Sequence, residues 1–396
     1  MDPAVVTLCV LAVACFLFVT ELIPLAVTAM AACTALGILG VLPSKQVYAG
    51  LSNSTVVLFG GMFVIGAAMF RTGLAQAIGV AVVKKAGTNE VPLMGAVMLV
   101  TIVLSSVSSN TGTVACLMPV IIGICQAAKI APSRQLMPLA IAANVGGTIT
   151  MIGTPPNVIV TGALSAAGLP TFGFFEFAYI GIPLSIIVFF FTLFIGRHLL
   201  PKNDIGEMDE EALKEAAEEA GAGGDDEPKS ATKMWISGLI MIGVVICMAL
   251  DLKTLPLQTA AVTGAILCVI TGCLKEKEAY AGIDWVTIFL FAGMLSVATA
   301  MEKTGAGKLI ADAVVGSMGE HPNAVVLCAV LYLISNVLTQ FMSNTAAAAL
   351  LAPIGISIAQ SIGADPKPVL MAIGIAASMA FATPMATPPN TLVLGP

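Results

Sequence analysis

Four short motifs hold the residues that could do chemistry in this chain. Ser109-Asn110-Thr111 recurs as Ser343-Asn344-Thr345, and Thr154-Pro155-Pro156-Asn157 recurs as Thr387-Pro388-Pro389-Asn390, at spacings of 234 and 233 residues. Hydroxyl and amide oxygens, with carbonyls freed where a helix breaks, suit a hard cation such as Na⁺. Side-chain donors and helix N-termini suit a carboxylate or a sulfate. Pro155 and Pro156 remove two backbone donors, so no helix runs unbroken through them and carbonyls are left for coordination. Two such pairs, inverted, would build two cation sites flanking one anion site. Ser, Thr and Pro also pack and kink membrane helices with no further role. That plainer reading covers one isolated motif more easily than four copies in two matched pairs.

The elements that must position these motifs repeat with them. Phe59-Gly60-Gly61-Met62 returns as Phe291-Ala292-Gly293-Met294, Thr72-Gly73 as Thr304-Gly305, Tyr48-Ala49-Gly50 as Tyr280-Ala281-Gly282, and Pro24 as Pro256, all 232 apart. Six landmarks within two residues of one offset indicate a duplication. The first half breaks into apolar runs at about 4–20, 24–42, 55–70, 92–108, 112–128, 136–165 and 176–199. The second gives about 235–250, 255–273, 285–301, 323–341, 346–362 and 368–394. Crossing the hydrocarbon core takes about 20 helical residues, so the pairs of runs around the Ser-Asn-Thr motifs are short. They read as re-entrant hairpins, about 92–128 and 323–362, in preference to two full spans joined by a wet loop. Broken helices follow at about 136–165 and 368–394. Five crossings remain in the first half, an odd number, so the second repeat enters the membrane upside down.

The predicted class is an all-α polytopic membrane protein of two inverted-topology repeats, residues 1–201 and 234–396, each with a re-entrant hairpin and a broken helix. Hydrophobic residues make up 58% of the 396 and charged ones 10%, against about 25% charged in a soluble domain. Much of the acid lies at 204–227, within a linker at 202–233 that reads as solvated and cytoplasmic. With it inside, Arg71, Lys84, Lys85, Lys129, Arg134, Arg197, Lys275 and Lys277 fall on the cytoplasmic side. Lys45, Lys253, Lys303, Lys308 and Lys367 fall opposite, a modest positive-inside bias. Trp235 and Trp285 lie at run edges, as interfacial anchors do. The stretches 71–86 and 304–318 read as short amphipathic interfacial helices. Residues Met1-Asp2-Pro3 lead straight into a span with no cleavable signal pattern. After Asn157 the first half runs on through a further span; after Asn390 six residues remain. The repeat therefore predicts a second half truncated by one crossing.

Other chemistries fit poorly. Nine cysteines lie almost wholly in apolar stretches without a CxxC or Cys/His cluster, and read as small core hydrophobes. The two histidines, His198 and His321, sit at run ends, and no triad, HExxH or Walker loop is present. No nucleic-acid surface is visible. Glu21, beside the Pro24 break, reads as interfacial and not as a proton relay. Without a buried carboxylate chain, Na⁺ coupling is favoured over proton coupling.

At these residues the chain resembles the divalent-anion/sodium symporter family, which carries dicarboxylates, citrate or sulfate. The resemblance spans nearly the whole chain, and the paired Ser-Asn-Thr motifs, each followed some 45 residues later by Thr-Pro-Pro-Asn, are highly specific to it. It implies a first Na⁺ site from Ser105, Ser109, Asn110 and Gly153. It implies a second from Thr339, the Met342 backbone, Asn344 and the Ala386 backbone. Asn110, Thr111, Thr154, Asn344, Thr345, Thr387 and Pro388 would face the anion. It further implies a homodimer in the cell (plasma or inner) membrane, with scaffold and transport subdomains and elevator-type alternating access. The alternatives are a Na⁺-independent anion exchanger, an arsenite or Na⁺/H⁺ carrier of the wider superfamily, and a channel-like protein.

Overall fold

The computed structural model describes residues 2–87, 89–128, 130–200, 230–250, 254–318, 323–383 and 387–394, which are helical and contain no strand. The acidic segment 204–227, Lys129, Lys253, His321 and Ala386 lie outside the described residues. The chain folds as two compact units that divide it differently from its halves.

One unit comprises residues 1–60, 155–172 and 284–386. Its helices are α1 (Pro3–Thr20) and α2 (Leu25–Ile38), the start of α3 (Ser54–Arg71), and α8 (Pro155–Ala166), with α13 (Trp285–Thr304), α14 (Ala306–Met318), α15 (Ala324–Leu338), α16 (Asn344–Ser361) and α17 (Pro366–Ser378). The other comprises residues 61–154, 173–283 and 387–396. It holds the rest of α3, α4 (Leu74–Ala86), α5 (Glu90–Val107), α6 (Asn110–Ala128), α7 (Ser133–Gly147), α9 (Ala178–Leu199), α10 (Ala231–Ala249), α11 (Leu257–Ile270), α12 (Glu276–Ala281) and α18 (Pro388–Leu392). Each unit thus takes the helix that follows a Thr-Pro-Pro-Asn motif from the opposite half of the sequence. In the first, α8 packs on α16 and α17; in the second, α18 packs on α6 and α7.

Between apolar helices in lipid there is little hydrophobic drive to associate, so close packing of small residues supplies the contact. The α5–α7 pair meets at Gly146, where a Cβ would lie 2.7 Å from the Ile102 Cα. The α2–α13 pair meets at Gly293, where a Cβ would lie 2.7 Å from the Ala29 carbonyl carbon. Both are backbone-to-backbone approaches.

Among the described residues, six helices are long and apolar enough to cross a membrane: α1, α3, α5, α9, α10 and α13. The arm α5 is longer than its apolar run, because Glu90 occupies its first turn and carries the helix two residues further. Its 18 residues match a full crossing in length. What separates the arms is the break at Ser108, extended at φ −143° and ψ 174°. The stretches expected as short amphipathic helices are α4 and α14, each 13 residues. Both begin beside a left-handed glycine, Gly73 at φ 81° and Gly305 at φ 74°. In both, the preceding threonine returns its hydroxyl to the carbonyl four residues back, Thr72 to Ala68 at 2.8 Å and Thr304 to Ala300 at 2.7 Å. The cysteines differ in part from a purely core role: Cys33, Cys116, Cys125, Cys268 and Cys273 are buried, but Cys9 is exposed on α1. A thiol is apolar enough to stay on an outward face of an apolar helix.

Polar contacts at helix ends group the basic residues. Arg71 pairs with Glu278 at 2.9 Å, beside Lys275 and Lys277, and Arg134 pairs with Glu90 at 2.6 Å while its Nη2 donates to the Arg197 carbonyl at 3.4 Å. In the other unit Lys303 donates to Gln46 Oε1 at 2.5 Å, next to Lys45.

Candidate functional site

In the unit that holds α5 to α7, the first Ser-Asn-Thr motif is built by two helix C-termini and one N-terminus. Ser105 lies in the last turn of α5 and is fully buried. Its Oγ is 2.5 Å from Asn110 Oδ1 and 2.8 Å from the Ala143 carbonyl in the last turn of α7. With the Asn110 amide turned the other way, its nitrogen would reach the Gly153 carbonyl at 3.0 Å, Ser105 Oγ at 2.5 Å and the Ala143 carbonyl at 3.1 Å. In either orientation the Asn110 amide faces oxygens of Ser105, Ala143 and Gly153. Gly147 is required beneath them, since a Cβ there would sit 2.5 Å from Asn110 Oδ1. Gly153 is required for the same reason, its Cβ position colliding with the Gly147 carbonyl.

The second motif repeats this arrangement in the other unit. Thr339, fully buried at the end of α15, places Oγ1 2.6 Å from Asn344 Oδ1 and 2.7 Å from the Ala377 carbonyl in the last turn of α17. Residues 105, 110 and 143 each stand 234 before 339, 344 and 377, so these three members of the two cages correspond. The lead serines cap the helices that follow: Ser109 Oγ accepts from the Gly112 N–H at 3.3 Å, and Ser343 Oγ from the Ala346 N–H at 3.2 Å. Ser109 is exposed, with one lone pair taken by that cap. Met342 is buried in the turn between α15 and α16.

The helix breaks are tied to the cages by side chains. Thr150 donates to the Ser106 carbonyl, and Thr383 donates to the Gln340 carbonyl at 2.5 Å. These satisfy carbonyls that helix ends leave orphaned. Gln340 adds two further bonds across its break, accepting from Ala382 N–H at 2.8 Å and donating to the Met379 carbonyl at 3.1 Å. Thr154 and Thr387 are buried, Thr111 and Thr345 are half-buried in the first turns of α6 and α16, and Pro388 is exposed.

Sequence reasoning missed Ala143, Ala377, Gln340 and Asn144. The alanines act through their carbonyls, which no side chain advertises. Gln340 and Asn144 do carry a signal, an amide within or beside an apolar run.

The electrostatics favour a cation at the cages. Each carries the negative ends of two helices, α5 with α7 and α15 with α17. Every contributing oxygen is neutral, and among the described residues there is no group of three or more His, Cys, Asp or Glu side chains suited to a transition metal. Neutral hydroxyl, amide and carbonyl oxygens match a hard ion of low charge. The positive ends of α6 and α16 begin at Asn110 and Asn344 themselves, so one residue adjoins both kinds of potential.

Comparison with known proteins places the chain. The citrate transporter family matches residues 15–366. An uncharacterized transporter of Haemophilus influenzae is 30% identical, the alignment covering 98% of this chain and 84% of that protein. A sodium-dependent dicarboxylate transporter, SdcS, of Staphylococcus saprophyticus is 26% identical over 96% of this chain and 77% of its own length. The crystal structure of the Alcanivorax borkumensis YdaH transporter is similar with a TM-score of 0.58 at 16% identity, covering 89% of this chain and 79% of that one, a likeness of fold alone. The chain is therefore a multi-pass membrane transporter and not an enzyme, and it belongs to the citrate transporter family.

Proposed function

We propose that this protein is a secondary active transporter that couples Na⁺ to uptake of a divalent anion, a C4-dicarboxylate, citrate or sulfate, by elevator-type alternating access. The observation that carries the reading is the matched pair of neutral oxygen cages, Ser105–Asn110–Ala143–Gly153 and Thr339–Asn344–Ala377. Similarity to a protein named as a sodium-dependent dicarboxylate transporter supports both the ion and the anion. In this reading Ser105, Ser109, Asn110 and Gly153 hold one Na⁺, and Thr339, Met342, Asn344 and Ala386 hold the other. Asn110, Thr111, Thr154, Asn344, Thr345, Thr387 and Pro388 face the anion. The two halves act as inverted repeats in a homodimer in the cell membrane. The absence of carboxylates from the cages argues against proton coupling. Uptake of labelled succinate, citrate and sulfate into proteoliposomes tests it: at least one should accumulate in Na⁺ and fail to do so when choline replaces it. Equal uptake in choline would leave Na⁺-independent anion exchange as the better reading.

A further inference from the structure

We infer that Asn144 is a positioning residue that fixes the second Thr-Pro-Pro-Asn segment, and with it the Thr387 hydroxyl, from a helix of the opposite half of the chain. The inference rests on the proposed role of Thr387 in holding the anion. Asn144 lies in α7, has no exposed surface, and belongs to the same compact unit as α18. Its Oδ1 accepts from Thr387 Oγ1 at 3.3 Å and its Nδ2 donates to Asn390 Oδ1 at 3.0 Å. One amide therefore holds the first and last residues of the motif at once. It does so where two prolines have removed the backbone donors that would otherwise tie the segment down. The Thr387 N-cap position has no side-chain capping bond of its own, and α18 is only five residues long. A helix that short has little intrinsic stability, so an external clamp decides where it sits.

The two halves differ here. The residue 234 positions after Asn144 is Ser378, whose Oγ donates back to the Gly374 carbonyl of its own helix at 3.0 Å. The first motif's Asn157 lies on α17, where a Cβ on Gly374 would be 3.5 Å from Asn157 Oδ1. A serine hydroxyl carries one proton where the Asn144 amide carries two, so the corresponding position differs in its chemistry.

The test uses the full chain in lipid nanodiscs and in proteoliposomes. In Asn144→Ala, amide hydrogen exchange over 387–394 should quicken by about tenfold or more, while 155–166 stays as in the parent. Uptake of the transported probe anion should show KM raised about tenfold with kcat within about twofold, the split expected when a binding group is misplaced. Asn144→Asp supplies a conservative rescue: protonated, its carboxyl offers one acceptor and one donor in the same directions. Protection of 387–394 should therefore return at about pH 5 and fade at about pH 8, as the added carboxyl ionises. Unchanged exchange at 387–394 in a folded Asn144→Ala overturns the clamp. If that variant fails to fold, Asn390→Ala, which removes one of the two bonds, must show a smaller rise in exchange, and none overturns the clamp equally. Exchange needs no substrate, so it decides the clamp even if no anion is taken up and the transport reading fails. Faster exchange with KM unmoved in an active protein would overturn the positioning role.

Discussion

At Asn110 the orientation of one amide decides whether protons separate the oxygens around it. In one orientation Oδ1 and the Ala143 carbonyl compete for the single Ser105 hydroxyl proton; in the other, two amide N–H bonds and the Ser105 hydroxyl serve the Gly153, Ser105 and Ala143 oxygens. Thr339 has the same conflict, one proton between Asn344 Oδ1 and the Ala377 carbonyl. A bound cation resolves it by accepting lone pairs from all of them. This predicts an unusual response to Thr339→Val, which keeps shape and loses the hydroxyl. In Na⁺-free buffer the melting temperature should stay near the parent's, because the lost hydrogen bond of about 1 kcal/mol was shared between competing acceptors. The rise in melting temperature on adding Na⁺ should shrink or vanish. A parent-like Na⁺ response would remove Thr339 from the ion site. Asn110→Ala and Asn344→Ala should each abolish anion-dependent stabilisation in a folded protein, since each amide borders both potentials. Anion binding that persists in the double variant would refute their shared role.

Among the elements, helix breaks and close backbone contacts do the positioning. The break after α7 was legible as two adjacent prolines, and the break before α6 as a run of Ser, Asn and Thr inside apolar sequence. The lengths of the arms were less legible, because Glu90 belongs to the helix by its position and not by its hydropathy. Gly146 carries no signal beyond its smallness, yet α5 and α7 meet through it. Gly146→Ala should cost about 1–3 kcal/mol, since the obstacle is the Ile102 backbone, which cannot rotate away. Gly60→Ala, with open space around it in α3, should instead be neutral or stabilising by up to about 1 kcal/mol. Thermal melting of the two variants in detergent checks the contrast, and equal effects would defeat it. The Arg71–Glu278 pair makes a pH-dependent tie. Burial alone would raise the Glu278 carboxyl, but the Lys275 backbone N–H and the Arg71 guanidinium outweigh it and hold the group below its ordinary range. A depressed carboxylate stabilises the fold above its unfolded pKa, and that contribution is lost as pH falls through the folded value. Both side chains are about a quarter exposed, so the effect is about 1 kcal/mol or less. Glu278→Gln should therefore lower the melting temperature slightly at neutral pH, by a gap that narrows on acidification; a gap that widens on acidification would contradict the sign.

On the scale of the whole molecule, the recurrence of the motifs in the sequence and the pair of cages are one fact seen at two levels. Spacing alone revealed that the motifs recur, and hydropathy revealed the class of protein. Neither could reveal that each compact unit borrows its post-break helix from the other half, because that exchange depends on which surfaces α8 and α18 cover after the chain has turned at the prolines. The exchange has a consequence for coupling. Each cage is built from one half, but the helix leaving its break packs in the other unit. An ion that orders one break therefore acts on a chain segment that continues into the other unit, and two ions should act together. Uptake should accordingly rise with Na⁺ more steeply than a single-site curve, with a Hill coefficient above about 1. Thr339→Val or Ser105→Ala, each disabling one cage, should bring the coefficient down to about 1 and raise the Na⁺ needed for half-maximal rate. The double variant should lose Na⁺ dependence altogether. A parent protein whose Na⁺ curve is already single-site, with only one of the two variants shifting it, would mean that the second cage is structural and that its conflict of oxygens is settled by something other than an ion.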